Sequence, residues 1–280
     1  MKILMIRSKW DLDDLPLEEF LRYARSSGFD GTEIHLPSLH ADPAESIALH
    51  EQNGLVFIAM VTTEGSSPDE HIASLKSRFD AAIRYKPLFI NCHTGRDIFS
   101  LEENLRIFQT GIDLSTESGT PLYHETHRGR ALYSVPSTRA ILTTLPAVRL
   151  NADFSHWCCV HESLLQDQEE SVQMAIRHTA YVHARVGHAE GPQVSDPRAP
   201  EWTAEVEQHC KWWEQIAAER ARQGASCLAL CPEFGPAPYM PALPFTRQPV
   251  SNLREVVIHQ MRELRRRLER WSAPASPSHG

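Results

Sequence analysis

The sequence predicts an α/β fold, a single (β/α)8 barrel, on three observations. Eight short apolar runs, rich in β-forming residues, alternate along the chain with longer amphipathic stretches. Such alternation is typical of βαβ units and of a parallel sheet. The length of 280 residues fits eight such units closed into a barrel better than it fits an open sheet.

Each apolar run is bounded by Gly, Pro or Asp and has the length and composition of a strand. The eight predicted strands are Ile3–Ile6, Thr32–Leu36, Val56–Val61, Leu88–His93, Leu122–Thr126, Val148–Phe154, Tyr181–Val186 and Cys227–Glu233. In a parallel barrel all the carboxyl ends face one rim, and barrel enzymes carry their active sites there.

The amphipathic stretches repeat apolar residues at the spacing of a helix, as Ile72, Leu75 and Phe79 do on one face. The clearest predicted helices are Pro16–Ser26, Asp69–Tyr85, Leu101–Glu117, Trp202–Gln223 and Asn252–Trp271. Glycine often ends a helix in the left-handed conformation. The candidate stops just before a strand are Gly28, Gly54, Gly119 and Gly224.

No linker interrupts the pattern, so residues 1–271 are predicted to form one barrel domain. Residues 272–280, SAPASPSHG, are rich in Ser and Pro and are expected to be a disordered tail. Two long loops, residues 187–200 and 234–249, follow the seventh and eighth strands. They lie on the rim where we expect the functional residues.

Composition and charge argue against several classes of protein. The formal net charge of −8 disfavours a protein that grips nucleic-acid phosphates. No apolar run approaches the roughly 20 residues of a membrane span, and the first residues turn acidic too soon for a secretory signal. The six cysteines form no CxxC pair, so neither a zinc ribbon nor a disulfide framework is indicated. We expect a reduced, cytoplasmic protein without nucleic-acid or membrane partners.

Polar side chains end four consecutive predicted strands. Glu125, Asp153, His183 and Glu233 stand at or near the ends of strands five to eight. Because these ends share a rim, three carboxylates and one imidazole are expected to converge there. Without a cation such carboxylates repel one another and take up protons. The set therefore predicts one divalent ion, Mn²⁺, Mg²⁺, Co²⁺ or Zn²⁺.

Two further histidines are expected near this rim. His93 ends the fourth predicted strand, and a structural role for it is the equal alternative to a substrate contact. His127 follows Glu125 by two residues and shares its face if the strand continues. Both are candidate substrate-binding residues.

The segments HETHRG, NADFSH, VHARVGHAEGPQV and CPEFG, in that order, resemble the xylose isomerase-like TIM-barrel superfamily, the sugar phosphate isomerase/epimerase and dehydratase group. The resemblance covers nearly the whole chain, because the eight-unit pattern matches as well. It implies that Glu125, Asp153, His183 and Glu233 bind one divalent ion. It also implies that the two glutamates act as the acid/base pair.

The same resemblance implies substrate contacts from His156 and from Arg185 or His188. The favoured function is a metal-dependent isomerase or epimerase of a small sugar, ketose or polyol. Glu125 and Glu233 would transfer a proton through an enediolate, one removing it and the other returning one. The expected partner is a small-molecule carbohydrate. A homo-oligomer is left open, because one of two adjacent tryptophans, 212 and 213, could mark a contact.

Three alternatives remain. A metal-dependent dehydratase would need an extra acid, for which the rim histidines are candidates: His93, His124, His127 and His161. A DNA apurinic endonuclease is disfavoured by the negative charge and by the lack of a histidine at the end of strand three. A non-catalytic barrel is disfavoured by candidate ligands on all four strands.

Overall fold

The protein, described here by a computed structural model over residues 1–272, is a closed barrel of eight parallel strands in chain order, surrounded by helices. The predicted α/β (β/α)8 TIM barrel is therefore confirmed. The expected tail, 272–280, lies outside the described residues except for Ser272. Within residues 1–272, no helix combines the length and the apolar composition that a bilayer crossing requires.

All eight strands form where the sequence predicted strands. They are β1 (Lys2–Ser8), β2 (Gly31–His35), β3 (Val56–Thr62), β4 (Ile90–His93), β5 (Leu122–Glu125), β6 (Leu150–Ala152), β7 (Thr179–His183) and β8 (Cys227–Cys231). Pairing of β1 with β8, where Ile3 lies opposite Leu228, closes the barrel.

The last four strands end earlier than predicted, which corrects the position of three predicted site residues. Asp153, Arg185 and Glu233 lie just beyond their strands rather than within them. Asp153 leaves the β6 ladder because its side chain caps the next helix. Glu233 lies outside β8 because Pro232 has no N–H to donate to a ladder.

Nine α-helices surround the strands within the described residues. They are α1 (Leu17–Ser26), α2 (Pro43–Asn53), α3 (Pro68–Ile83), α4 (Leu101–Ser118), α5 (Val135–Thr144), α6 (Phe154–Val160), α7 (Glu169–His178), α8 (Thr203–Arg222) and α9 (Leu253–Leu268). Short 3-10 turns are formed by Trp10–Leu12, Leu36–Ser38, Pro200–Trp202 and Glu269–Trp271. The five helices predicted from the sequence correspond to α1, α3, α4, α8 and α9. All four predicted stop glycines have a positive φ.

The interior of the barrel has two levels. One level is filled by a cluster that we call the barrel plug: Leu4, Ile6, Ile58, Phe89, Tyr181, Ala229 and Cys231. Residues two apart on a strand share a face. Two residues further along the chain, Phe89, which directly precedes β4, is followed by Asn91, and Tyr181 of β7 is followed by His183. The side chains that fill the barrel interior therefore change from apolar to polar over two residues along the chain.

The larger apolar core lies between the strands and the surrounding helices. It includes both Trp212 and Trp213, whose exposed fractions are 4% and 3%. The expectation that one of them marks an oligomer contact is therefore wrong, because both side chains are already buried within the chain.

A candidate active site at the carboxyl ends of the strands

A cavity of about 340 Å³ opens at the carboxyl ends of the strands. It lies at the rim predicted to carry the functional residues. Several predicted site residues line it, namely His93, Glu125, His127, Arg185 and Glu233. Asp153, His156 and His183 are also brought to this end of the barrel, where they are buried against the lining residues.

His183, the last residue of β7, lies at the centre of a set of glutamates. Its Nδ1 is 3.3 Å from Glu125 Oε2 and 3.2 Å from Glu233 Oε2. Its Nε2 is 2.9 Å from Glu33 Oε1. Nδ1 is buried and makes no hydrogen bond of acceptable geometry with any described residue. A buried nitrogen that faces two carboxylates without a partner calls for an explanation.

The charges around His183 act strongly on its pKa. Burial lowers the pKa of this imidazole, but Glu233, Glu33 and Glu125 together outweigh burial and hold it well above the ordinary value. Burial raises the pKa of Glu125, and here the charges of His93 and His183 prevail and hold it well below the ordinary range. The Glu125 carboxylate is thus stabilised by positive charge, whereas burial raises the pKa of Asp153 to about 6. A divalent ion would supply positive charge to both.

Asp153 is fixed by the chain around it. Its Oδ1 accepts hydrogen bonds from the backbone N–H of Ser155, at 3.2 Å, and from the Ser155 hydroxyl. Its own backbone N–H donates to Thr126 Oγ1 at 2.8 Å. Its Oδ2 forms a buried ion pair with Arg185 Nη2. The carboxylate is therefore held in one orientation at the carboxyl-end opening of the barrel, which we call the mouth.

The donor set fits a divalent ion. Glu125, Asp153 and His183 each offer a ligand atom within 4.8 Å of the other two, and Glu233 approaches the same His183 nitrogen. Carboxylates with one imidazole suit ions such as Mn²⁺, Mg²⁺, Co²⁺ or Zn²⁺. An ion bound by these groups would also give His183 Nδ1 the partner that it lacks among the described residues.

Arg185 lies beside these donors and beneath an aromatic wall, which we define as Trp10 and Tyr239. Its guanidinium carbon is 4.9 Å from the Tyr239 ring centroid and 5.8 Å from that of Trp10. Its Nη2 also lies 2.8 Å from His156 Nε2. Cation–π contact above and the Asp153 carboxylate below hold the guanidinium in place.

The aromatic wall depends on a glycine. Trp10 follows β1 and packs edge-to-face with Tyr239, with ring centroids 5.0 Å apart. The Trp10 ring lies so close to Gly235 that a Cβ there would be 2.1 Å from it. Gln193 holds Gly235 from the other side, because its Oε1 accepts from the Gly235 N–H at 2.7 Å and its Nε2 donates to the Gly235 carbonyl at 3.1 Å.

Three imidazoles form a row along one side of the mouth. The ring centroids of His93 and His127 are 4.4 Å apart, and those of His127 and His156 are 3.9 Å apart. His93 Nε2 lies 3.0 Å from Glu125 Oε2. Burial lowers the pKa of His127 to about 3 and that of His156 well below its ordinary value. These two rings are therefore neutral hydrogen-bonding groups at neutral pH.

Three other predicted histidines do not line the cavity. His188 forms an antiparallel bridge with Gly191, and its ring packs 4.8 Å from that of Trp202. His124 Nδ1 lies 2.7 Å from the Thr94 hydroxyl, and His161 Nε2 accepts from the backbone of α5. All three have structural partners within the described residues.

Several residues of the mouth were not among the predicted site residues, and they include Glu33, Asn91, Asn151 and Tyr239. Asn91 and Asn151 both donate to Glu125 Oε2, at 2.9 and 3.2 Å. The alternation of strand side chains could have found them, because Asn91 stands two residues before His93 and Asn151 two before Asp153. Tyr239 comes from a loop, where no such periodicity applies.

The fold and this cluster together define a class of protein: a (β/α)8 barrel with a carboxylate–histidine centre at the carboxyl-end mouth. No family model and no curated protein matches the sequence. Many solved structures share the fold.

Three solved structures illustrate this likeness. The 3-keto-D-glucoside 4-epimerase YcjR from E. coli has a TM-score of 0.61 at 16% identity, over 95% of this chain and 99% of that one. The probable 3-DHS dehydratase AsbF from Bacillus anthracis has a TM-score of 0.60 at 14% identity, over 94% and 98%. A xylose isomerase-like TIM-barrel protein from Mycobacterium smegmatis, in complex with magnesium, has a TM-score of 0.61 at 13% identity, over 93% and 92%.

These structures confirm the predicted resemblance to xylose isomerase-like TIM barrels at the level of fold. Endonuclease IV from Thermus thermophilus shares the fold too, with a TM-score of 0.57 at 14% identity, over 96% of this chain and 100% of that one. Because enzymes of different activity share this barrel, the fold alone does not decide the reaction.

Proposed function

We propose that the protein is a divalent-metal-dependent isomerase or epimerase of a small sugar, ketose or polyol. The observation that carries the proposal is the approach of Glu125 and Glu233 to one imidazole nitrogen, at 3.3 and 3.2 Å, at the mouth of a cavity. Two carboxylates at one centre can remove a proton from carbon and return one. The fold likeness to a sugar epimerase supports this class of substrate.

Glu125, Asp153, His183 and Glu233 would hold the ion. When bound there, a divalent ion polarises a carbonyl and stabilises the negative charge that develops on its oxygen. The fold likeness to a magnesium complex supports an ion of this kind, and we propose Mn²⁺, Mg²⁺, Co²⁺ or Zn²⁺.

The two glutamates have different surroundings, which suits them to different parts of the proton transfer. Glu125 is 2% exposed and accepts hydrogen bonds from Asn91 and Asn151, which fix its orientation. Glu233 is 9% exposed and has fewer partners. We propose that ionised Glu233 takes the proton from the carbon next to the carbonyl and, in an isomerisation, returns it to the adjacent carbon. In an epimerisation, Glu125 would first take up a proton from solvent and then give it to the opposite face, while Glu233 releases its proton to solvent.

The remaining predicted residues would bind the substrate. His93 and His127 line the cavity and can hydrogen-bond sugar hydroxyls. Arg185 and His156, joined beneath the aromatic wall, would orient the oxygens nearest the centre. The faces of Trp10 and Tyr239 offer apolar surface to the C–H groups of a sugar. His188 is left out of this proposal because it packs against Trp202.

Dehydration is the second candidate, supported by the fold likeness to AsbF. A dehydratase needs an acid to protonate the departing hydroxyl. The low pKa of His127, about 3, makes this rim histidine a poor proton donor at neutral pH. His93, which also lines the cavity, is then the candidate acid for dehydration. The formal charge of −8 weighs against an endonuclease.

The test begins with elemental analysis of the purified protein. A panel of ketoses and aldoses is then followed by NMR, with added divalent ions and with a chelator. We expect a bound or activating divalent ion, conversion of a sugar without change of mass, and loss of turnover with chelator. Loss of water, a mass change of about 18, would indicate dehydration instead. If no divalent ion binds or activates, the proposal is wrong.

A further inference from the structure

We propose that Glu33 is a positioning residue, which fixes His183 so that its Nδ1 faces the ion. The inference rests on the proposed function, because it assumes an ion held by Glu125, Asp153, His183 and Glu233. It starts from the buried contact of 2.9 Å between Glu33 Oε1 and His183 Nε2, on the far side of the ring from Nδ1. Glu33 belongs to β2 and is 3% exposed.

The position of one ring hydrogen follows from this contact. An ionised carboxylate can only accept a hydrogen bond, so His183 Nε2 must carry the hydrogen. The proton that a bound ion displaces is then the one on Nδ1, and the lone pair left there faces Glu125 and Glu233. Without Glu33, the neutral ring could carry its proton on Nδ1 and lose the lone pair that an ion requires.

Counting the hydrogens of two buried amides supports the same arrangement. Asn91 Nδ2 has two hydrogens, and it lies 3.2 Å from Glu33 Oε2 and 2.9 Å from Glu125 Oε2. Both hydrogens are thus used on carboxylates. The contact of 3.5 Å between Asn91 Nδ2 and His183 Nε2 brings two donors together and is no hydrogen bond in this arrangement.

Asn151 completes the network. Its Nδ2 donates to Asn91 Oδ1 at 3.1 Å and to Glu125 Oε2 at 3.2 Å. The bond to Asn91 Oδ1 fixes the orientation of the Asn91 amide, so that its Nδ2 faces Glu33. Glu33 therefore orients His183 directly and is tied through Asn91 to the carboxylate of Glu125. All of these side chains are 3% exposed or less, so water cannot readily replace the bonds.

A competing ion site is possible on the Nε2 side of the His183 ring. Glu33, His183 and Cys231 also have potential ligand atoms within 4.8 Å of one another. An ion bound there would use Nε2 and would make Glu33 a ligand. The carboxylates of Glu125, Asp153 and Glu233 favour the Nδ1 side, because three negative charges attract a cation more strongly than one.

The experiment measures ion binding rather than turnover. Protein stripped with a chelator is titrated with Co²⁺, and binding is followed by visible absorption. We expect Glu33→Ala to weaken Co²⁺ binding by about 10–100-fold, as is typical when the carboxylate behind a metal-bound histidine is removed. Glu33→Gln keeps an acceptor oxygen and should lose less. It also serves as the second variant if Glu33→Ala does not fold.

Thr32→Val is the matched control. Thr32 is the preceding residue of β2, equally buried, and its hydroxyl lies 2.9 Å from His50 Nε2 on the other face of the strand. We expect this variant to bind Co²⁺ as the wild type does. A purely structural role for Glu33 would lower thermal stability without changing the Co²⁺ dissociation constant.

Each further outcome decides a different point. Wild-type affinity in both Glu33→Ala and Glu33→Gln would overturn the positioning role while leaving the proposed function intact. Weaker Co²⁺ binding in Cys231→Ala would assign the ion to the Nε2 side of the ring and would also overturn the inference. Absence of Co²⁺ binding by the wild type would instead contradict the proposed function.

Discussion

The two levels of the barrel interior use the same strands for opposite purposes. In the plug, the rings of Phe89 and Tyr181 lie 4.8 Å apart and are surrounded by apolar side chains. One step further along these strands, Asn91 and His183 belong to a buried polar network. Because strand side chains alternate, both levels point inward from the same strand face. A slip of one residue in a strand would therefore disrupt both levels together.

The two levels also differ in what they contribute to stability. Burial of the apolar plug favours folding. The mouth holds buried charges, such as Asp153 and Arg185, whose desolvation is costly even when they are paired. We therefore expect substitutions in the plug to reduce stability and substitutions in the mouth to reduce function.

The largest expected effect is on turnover, from Glu233→Gln in the mouth. The amide cannot take a proton from carbon, so kcat should fall by about 10²–10⁴-fold while the protein remains folded. Initial rates on the substrate identified by the sugar panel measure this. Glu117→Gln, an exposed change of the same kind on α4, is the control and should retain full activity. Undiminished turnover in Glu233→Gln would remove Glu233 from the proton transfer.

The next effect is on stability, from Phe89→Ala in the plug. Loss of a buried aromatic ring should lower the free energy of unfolding by about 3–5 kcal/mol, as measured by urea denaturation. Co²⁺ affinity of the folded protein should remain that of the wild type. Phe245→Ala is the matched control, because this phenylalanine is fully exposed, and its change should stay within about 0.5 kcal/mol. Equal losses in the two variants would contradict the assignment of the plug as a stabilising core.

The third effect depends on pH and concerns His209, a residue of α8 that contacts the chain just after β7. Buried His209 on α8 accepts a hydrogen bond from the Gly187 backbone N–H at 3.3 Å, and burial lowers its pKa to about 4. The folded state therefore favours the neutral ring, and its contribution to stability is fully present above the ordinary pKa of 6.5. As the pH falls from 6.5 towards 4, we expect this contribution to be lost, by up to about 1.4 kcal/mol per pH unit.

Urea denaturation at several pH values between 7 and 4 tests this dependence. His209→Gln should flatten the pH profile, because the glutamine oxygen can accept from the Gly187 N–H without titrating. His40→Gln, at an exposed position, should leave the profile unchanged. An identical profile in wild type and His209→Gln would show that His209 contributes nothing to acid sensitivity.

The smallest effect is expected at a helix start outside both levels. Ser100 and Glu103 form a capping box at the beginning of α4, with Glu103 N–H to Ser100 Oγ at 3.2 Å and Ser100 N–H to Glu103 Oε2 at 2.7 Å. Ser100→Ala should reduce the free energy of unfolding by about 1 kcal/mol without affecting turnover. Ser100→Thr keeps a capping hydroxyl and should lose less. A larger loss from Thr than from Ala would argue against capping as the cause.

The barrel could be predicted from the sequence because its signals are local and repeated. Apolar runs bounded by turn residues located every strand, and Gly54 and Gly119 marked the ends of α2 and α4 correctly. Strand ends were predicted less well. Asp153 was assigned to a strand although it caps a helix, because a capping carboxylate directly after an apolar run resembles the last residue of that run.

The mouth was predictable only where strand register determines position. Glu125 and His183 end their strands, so alternation and a shared rim were enough to bring them together. The positions of Tyr239 and His188 depend on the conformation of long loops. A loop has no sequence periodicity from which its conformation could be predicted. The role of Glu33 was not predictable in this way, because its bond to His183 joins strands that are distant in the chain.

Trp10 can stand against the eighth loop only because residue 235 carries no side chain. A single methyl group there would push the indole away and change the width of the entrance. The size of the molecules that fit the cavity thus depends on residue 235 having a hydrogen atom, and not a methyl group, on its Cα. A substitution at position 235 would therefore change which molecules can enter the cavity without replacing any acidic or imidazole side chain of the mouth.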